Sequence, residues 1–223
     1  MKISAVIPAY NEAKKIESVI DSLKKIKEIN EIIVVNDGST DDTGKKAEIK
    51  GVKVVNLKKN HGKGYACFAG FKEAEGDIIL FLDADIKFDR EDILALINPI
   101  IHGEADMTVA GFKKTSNIKE GGFGITKGFA RVGIYVFTKK FFNFPLSGQR
   151  AVKRKFLEEL KCFPKGYGME VGITIDVIKK GGRVKEILTN MHHEGTKKDL
   201  KGFVHRGKQL LDILYTFVQK IIQ

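Results

Sequence analysis

Two carboxylates end a run of apolar residues in the stretch IILFLDADIKF, residues 78–88. Asp83 and Asp85 are separated only by Ala84, and like charges that close repel unless something positive sits between them. Residues alternate sides along an extended chain, so the two aspartates are expected to point one way and Ala84 into the fold. A hard divalent cation, Mg²⁺ or Mn²⁺, takes oxygen ligands of this kind together with substrate phosphates. The chemistry so indicated is metal-assisted handling of a diphosphate, with Asp85 as a ligand.

Similar groups follow the other apolar runs of the first half. Pro8-Ala9-Tyr10-Asn11-Glu12 comes after KISAVI, Asp37-Gly38-Ser39 after EIIVVN, and Asn60 to Gly64 after VKVVNL. In open α/β sheets, ligands bind at the carboxyl ends of the strands, so these segments are expected to share one rim with Asp83 and Asp85. Gly62 and Gly64 flank Lys63 in HGKGYA, where the backbone could approach a phosphate or base closely. The spacing is neither that of a P-loop nor that of a dinucleotide fingerprint.

The elements that must carry this rim alternate. Strands are expected at KISAVIPA, EIIVVND, VKVVNL, DIILFLD and ADMTVAGF. Helices are expected over NEAKKIESVIDSLKKIKEI, from GSTDDTGKKAEI, over GKGYACFAGFKEA and at 90–101. Asn11 is a plausible cap of the first helix, and Ser39, Thr40 or Asp41 of the second. Such alternation builds right-handed βαβ units on a mostly parallel, twisted sheet flanked by helices, an α/β fold in a single domain. Beyond Gly111 the pattern loosens. Residues 113–127 read as a loop, 128–142 as an aromatic-rich helix and RVKEILT as a late strand. In the tail, Leu200, Phe203, Val204, Leu210, Leu211, Leu214, Phe217, Val218 and Ile221 follow a helical stripe. It is expected to pack on the core, with a bilayer or another subunit as the alternative.

Composition bounds the rest. The 223 residues carry a formal charge of +11 and are 43% hydrophobic, enough for one sizeable core. The lysines are scattered, and no zinc-finger, homeodomain or aromatic RNA-binding signature accompanies them. The charge therefore points to a nucleotide, a phosphorylated substrate or an anionic membrane surface rather than to nucleic acid. The N-terminal apolar run ends at Pro8 and does not read as a signal peptide. No run reaches the ~18 apolar residues of a membrane span. Cys67 and Cys162 fit no metal or redox spacing and read as reduced thiols of a cytoplasmic protein.

The ordered set VIPAYNE, VVNDGSTDDT, GKGYA and FLDAD resembles the family 2 glycosyltransferases, whose fold is called GT-A. PLSGQRAVKRKFLEEL and KGYGMEVGITID look like the second half of glucosyl-3-phosphoglycerate synthases and polyprenyl-phosphate sugar transferases. The resemblance implies a GT-A domain over 1–195, with a nucleotide-binding half at 1–111 and a sugar and acceptor half at 112–195. An amphipathic helix at 196–223 follows. It also implies a hexose moved from a nucleoside diphosphate sugar, a UDP-sugar foremost, to a small acid, a polyprenyl phosphate or a glycan. The segment Pro8 to Glu12 and Asp37 would hold the base and ribose, and Lys63, after Gly62, would sit beside the base or a phosphate. Asp83 would contact the ribose or the water shell of the metal, and Asp85 would ligate the metal. Ser147-Gly148-Gln149 would line the sugar and acceptor pocket, and Glu170 would contact the sugar or act as a base. A histidine after the late strand would complete the metal site, His193 ahead of His192. One departure leaves the acceptor open: Phe123 stands where the phosphoglycerate enzymes carry an arginine, with Lys127 or Arg131 as substitutes. A peripheral contact with the inner membrane surface and a homodimer are further expectations. A sugar-phosphate nucleotidylyltransferase is the competing enzyme class, although its Gly-rich basic loop is missing where PAYNE stands. A nucleic-acid module is the competing non-enzyme.

Overall fold

A computed structural model describes residues 1–113, 124–160, 162–166, 168–193 and 201–222, with the side chains of 125 and 201–208 left aside. The elements run β1 (Ile3–Ala9), α1 (Ile16–Lys24), β2 (Glu31–Asn36), α2 (Thr43–Ile49), β3 (Lys53–Asn56), α3 (Lys63–Glu73), β4 (Ile78–Phe81) and β5 (Ile86–Lys87). Then come α4 (Arg90–Ile101), β6 (Met107–Phe112), α5 (Gly124–Thr138), β7 (Arg150–Lys153), α6 (Gly168–Lys179), β8 (Val184–Thr189), β9 (His192–His193) and α7 (Lys201–Ile222). Seven strands form one sheet in the order β3-β2-β1-β4-β7-β6-β8. Every neighbouring pair is parallel except those of β7, which runs against both β4 and β6.

The continuous apolar runs have a direct cause. Ile3, Ala5, Ile7 and Ala9 of β1 face one hydrophobic cluster with α1 and α4, while Val6 between them faces another with α3 and α6. A strand covered on both sides cannot alternate apolar with polar. A third cluster joins α5, α6 and α7 through Ala130, Ile134, Val171, Ile175, Ile213 and Phe217.

Several expected boundaries shift. The first helix begins at Ile16, not near Asn11, and no side chain caps it. Asn11 instead takes a left-handed backbone (φ 56°), and its side-chain oxygen accepts from the Thr40 N–H at 2.9 Å. It ties two rim loops together rather than starting a helix. The N-cap of α2 is Asp42, and the Asp41 carboxylate accepts from the Thr43 N–H at 3.0 Å. β4 ends at Phe81, two residues before the first aspartate. Residues 124–127, expected in a loop, already belong to α5; residues 114–123, with Phe123, lie outside the described residues.

The tail is one helix, and it packs on α5 and α6 through Ile213, Thr216 and Phe217, all buried. The Phe217 ring fills the space that a side chain at Gly133 would need, 1.8 Å from an ideal Cβ there. Of the six stripe residues whose side chains are described, Leu211, Leu214, Val218 and Ile221 nevertheless face outward and are exposed. Leu200 and the side chains of Phe203 and Val204 lie outside the described residues. No helix among the described residues is long and apolar enough to cross a membrane. Both cysteines are free, Cys67 buried and Cys162 exposed.

Candidate active site

Asp83 and Asp85 stand in the turn that follows β4, with Ala84 buried beneath them in the core. His193 reaches the same point from 108 residues away, its Nδ1 2.9 Å from Asp85 Oδ1. Its Nε2 is 3.9 Å from Asp83 Oδ2. The short β5–β9 ladder makes this meeting by setting Ile86 opposite His193 and Lys87 opposite His192. Asp92 fixes the approach. It closes the capping box of α4 with Asp89, and its Oδ1 accepts from the Asn190 N–H at 2.7 Å, holding the turn that delivers β9. His192 points elsewhere, with its Nδ1 3.2 Å from the Asn190 carbonyl oxygen.

One ligand atom from each of Asp83, Asp85 and His193 lies within 4.8 Å of the other two. Two hard carboxylate oxygens and one imidazole nitrogen suit Mg²⁺ or Mn²⁺, with room for further oxygen ligands from a substrate. The residues present therefore fit a divalent cation.

Cations within the protein balance the paired carboxylates. Lys63, the first residue of α3, places Nζ 2.6 Å from Asp83 Oδ1 and 2.9 Å from Glu170 Oε1. Burial works against charge on Lys63, but Asp83 and Glu170 outweigh it and hold the ammonium above its usual value. Burial likewise opposes ionisation of Asp83, and Lys63 overcomes it, so this carboxyl is pulled below its ordinary range. Asp85 is lowered chiefly by its hydrogen bond to His193, against burial, with help from Lys15, whose Nζ is 3.4 Å away. Burial depresses the His193 imidazolium, but Asp85 and Asp83 more than compensate and raise it above 6.5.

Residues from the second half of the chain surround this centre. Gln149 Nε2 donates to Asp83 Oδ2 at 2.7 Å. Gly148 passes so close that a Cβ there would meet Lys63 Nζ at 2.3 Å and Asp83 Oδ2 at 2.9 Å. Only glycine fits without moving that ion pair. Arg150, completely buried, donates to the Glu170 backbone carbonyl at 2.7 Å and to the carbonyl of Ser147. It thereby ties the 147–149 segment to the start of α6. Glu170 is fully buried, and its Oε2 accepts no hydrogen bond among the described residues. A buried carboxylate oxygen without a donor is costly, and a ligand hydroxyl would relieve it.

The side of the rim formed by the loops after β1, β2 and β3 is more self-engaged. Asp37 is buried, and its two oxygens accept from the His61 and Gly62 N–H groups, both at 2.8 Å. Gly62 has φ 91°, a turn no other residue type makes readily. The carboxylate thus shapes the loop that starts α3, leaving its remaining lone pairs for a ligand. Pro8 and Ala9 end β1, and Tyr10 stands exposed on the rim. The Glu12 N–H donates to Thr43 Oγ1 at 2.8 Å, while its carboxylate pairs with Lys15 at 3.5 Å. Burial is the main cause that raises the Glu12 carboxyl. Of the two substitutes considered for an acceptor-binding arginine, Arg131 is spent on the carbonyls of Phe142 and Asn143, at 3.0 and 2.9 Å. Lys127 Nζ lies 5.4 Å from the centre of the Phe144 ring.

Two residues around the aspartates and Glu170 were not singled out from the sequence. Lys15 sits among other lysines in NEAKKIE with nothing to mark it, and Arg150 looks like a surface charge next to Lys153. Only the three-dimensional proximity of Asp85 and of the Glu170 carbonyl distinguishes them.

The chain is similar to known proteins along most of its length. The model of glycosyl transferase family 2 matches residues 4–160. Glucosyl-3-phosphoglycerate synthase of Mycobacterium tuberculosis is 33% identical over 201 residues, 81% of this chain and 62% of that protein. Dolichol-phosphate mannosyltransferase of Pyrococcus furiosus is 32% identical over 185 residues, 78% of this chain and 53% of that protein. A crystal structure of the M. tuberculosis synthase with Mn²⁺, UDP and phosphoglyceric acid superposes with a TM-score of 0.81 at 28% identity, over 98% of this chain and 78% of that one. The chain belongs to glycosyl transferase family 2 and has the GT-A fold of the synthase structures. It spans about three fifths of the length of the first of these relatives.

Proposed function

We propose that the chain is a divalent-cation-dependent hexosyltransferase that takes a UDP-sugar, UDP-glucose foremost, as donor. The observation that carries this reading is the convergence of Asp83, Asp85 and His193 within 4.8 Å of one another at the carboxyl end of β4. The crystallised M. tuberculosis synthase complexes include UDP-glucose with Mn²⁺, which supports both the donor and the metal. Asp85 and His193 would hold the cation, with Asp83 beside them. When bound, Mg²⁺ or Mn²⁺ supplies positive charge to the diphosphate leaving group, where negative charge grows as the anomeric C–O bond breaks. Lys63 adds fixed charge beside Asp83 and keeps Glu170 aligned. Residues Pro8 to Glu12, with Asp37 and Gly62, cradle the base and ribose. Ser147, Gly148 and Gln149 wall the sugar, and Glu170 Oε2 accepts a sugar hydroxyl from below.

The acceptor is a small acid, a polyprenyl phosphate or a glycan; relatives named for a phosphoglycerate and for dolichol phosphate match over similar stretches and support the first two. An anionic phosphate acceptor is already a nucleophile and needs no base; a hydroxyl acceptor does. Incubation with UDP-glucose, Mn²⁺ and each acceptor, followed by assay of UDP and pyrophosphate, tests the reading. Metal-dependent UDP release with sugar on the acceptor supports it. Pyrophosphate released in a parallel incubation with UTP and glucose 1-phosphate, with no UDP released from UDP-glucose, would instead mark a nucleotidylyltransferase and overturn it.

A further inference from the structure

Asp85 is engaged from two sides. His193 Nδ1 lies 2.9 Å from one carboxylate oxygen, Oδ1. The other, Oδ2, faces Lys15, whose Nζ is 3.4 Å away and 3.5 Å from Glu12 Oε2. Local backbone sets this meeting: Lys15 immediately precedes α1, and its N–H donates to the Glu12 carbonyl at 2.9 Å. The turn so closed carries the Glu12 carboxylate and the Lys15 ammonium to Asp85 together.

The two lysines of the rim are held differently. Lys63 Nζ is 2.6 Å from Asp83 and 2.9 Å from Glu170, both full charge-assisted hydrogen bonds. Both contacts of Lys15 are longer than the ~2.7–3.2 Å of a well-made N–H···O bond. Lys63 is a fixed counter-ion, and Lys15 a loosely held one on a flexible four-carbon stem.

A lysine stays charged across the physiological pH range. Any divalent cation that reaches Asp85 Oδ2 therefore meets a like charge on the same oxygen, and that repulsion is appreciable even in water. A diphosphate reverses the balance. Its oxygens bring negative charge to the same rim, which offsets the repulsion and offers the ammonium a second anion.

We propose that Lys15 competes with the divalent cation for Asp85, so that the cation binds weakly until a nucleoside diphosphate arrives with it. This rests on the reading of Asp85 and His193 as cation ligands. Lys15 acts through Asp85, not on the sugar, and couples the two binding events; by linkage the cation strengthens nucleotide binding by the same factor.

Calorimetric titration of Mn²⁺ at pH 8, alone and with saturating UDP, tests this on the wild type, Lys15→Met, Lys15→Arg and Lys14→Met. Thermal melts in chelator verify folding. Lys15→Met is expected to bind Mn²⁺ alone at least ~5-fold more tightly than the wild type, and within ~2-fold of it once UDP is present. Lys15→Arg keeps the charge and the wild-type affinities. Lys14→Met removes the same charge from an exposed neighbour and leaves both affinities unchanged. A merely structural lysine would give the opposite sign, since a loosened turn weakens metal binding. Should Lys15→Met fold poorly, Lys15→Gln carries the same expectation. Unchanged or weaker Mn²⁺ binding in the folded variant, or a gain of equal size with and without UDP, overturns the proposal. An equal gain in Lys14→Met does so too, by assigning the effect to net charge. A wild type that takes up no Mn²⁺ even with UDP removes the cation reading itself, and the proposal with it.

Discussion

Lys63 Nζ lies between two carboxylates from distant parts of the chain, 2.6 Å from Asp83 and 2.9 Å from Glu170. This one ammonium joins the turn after β4 to the start of α6. It also makes a fully buried Glu170 tolerable, since a buried charge without a partner costs several kcal/mol.

Lys63→Met is therefore expected to destabilise the chain by about 3 kcal/mol, because it strands Glu170 and Asp83. Adding Glu170→Gln should recover part of that loss. Urea denaturation of both single variants and the double variant measures the coupling; additive losses would mean that the pair does not interact.

Gly148→Ala should act on the same pair by a different route. Its Cβ would meet the flexible end of Lys63, so the chain folds, but the ammonium must leave Asp83. Donor turnover is expected to fall at least ~10-fold in kcat/KM with a loss of stability near 1 kcal/mol. An unchanged kcat/KM would place Lys63 outside the working site.

The histidine gives a pH signature. In the metal-free chain the His193 pKa is raised above 6.5, so its stabilising pairing is complete below 6.5 and is lost as pH rises through the folded value. A cation needs the neutral ring and displaces that proton. The thermal shift produced by Mn²⁺ should therefore grow from pH 5.5 to 8, and His193→Ala should lower Mn²⁺ affinity at least ~10-fold and flatten the trend. His192→Ala should leave both unchanged. Calorimetric titration reads these affinities directly.

Asp106 offers a control far from the rim. It pairs with Lys153 at 2.7 Å and with Arg183 at 3.2 Å. Burial opposes its ionisation, but these partners bring its pKa down to about 2. A depressed carboxylate stabilises above its unfolded value near 4 and ceases to do so as pH falls through the folded one. Asp106→Asn should cost about 2 kcal/mol at pH 7 and almost nothing at pH 2. Denaturation at both pH values checks the difference.

The parallel part of the fold was readable because strands covered on both faces leave unbroken apolar runs, from Ile3–Ala9 through Ile78–Phe81. β7, RAVK, was not, since two of its four residues are cationic, and Arg150 is buried only because carbonyls of Ser147 and Glu170 receive it. The aspartates announced themselves by spacing. His193 came from family likeness alone, because a two-residue ladder leaves no periodic trace. The tail stripe marked a helix that does pack on the core, but not its buried side, because apolar residues on two sides give no sign of which side the core takes.

The central claim, that Asp85 and His193 hold a cation against a diphosphate, meets its most direct test in anomalous diffraction from crystals soaked in Mn²⁺ and UDP. A manganese peak within coordination distance of Asp85 and His193 Nε2 or Nδ1, touching the diphosphate oxygens, is the expected result. A peak elsewhere, or UDP bound on the rim without metal, would contradict it.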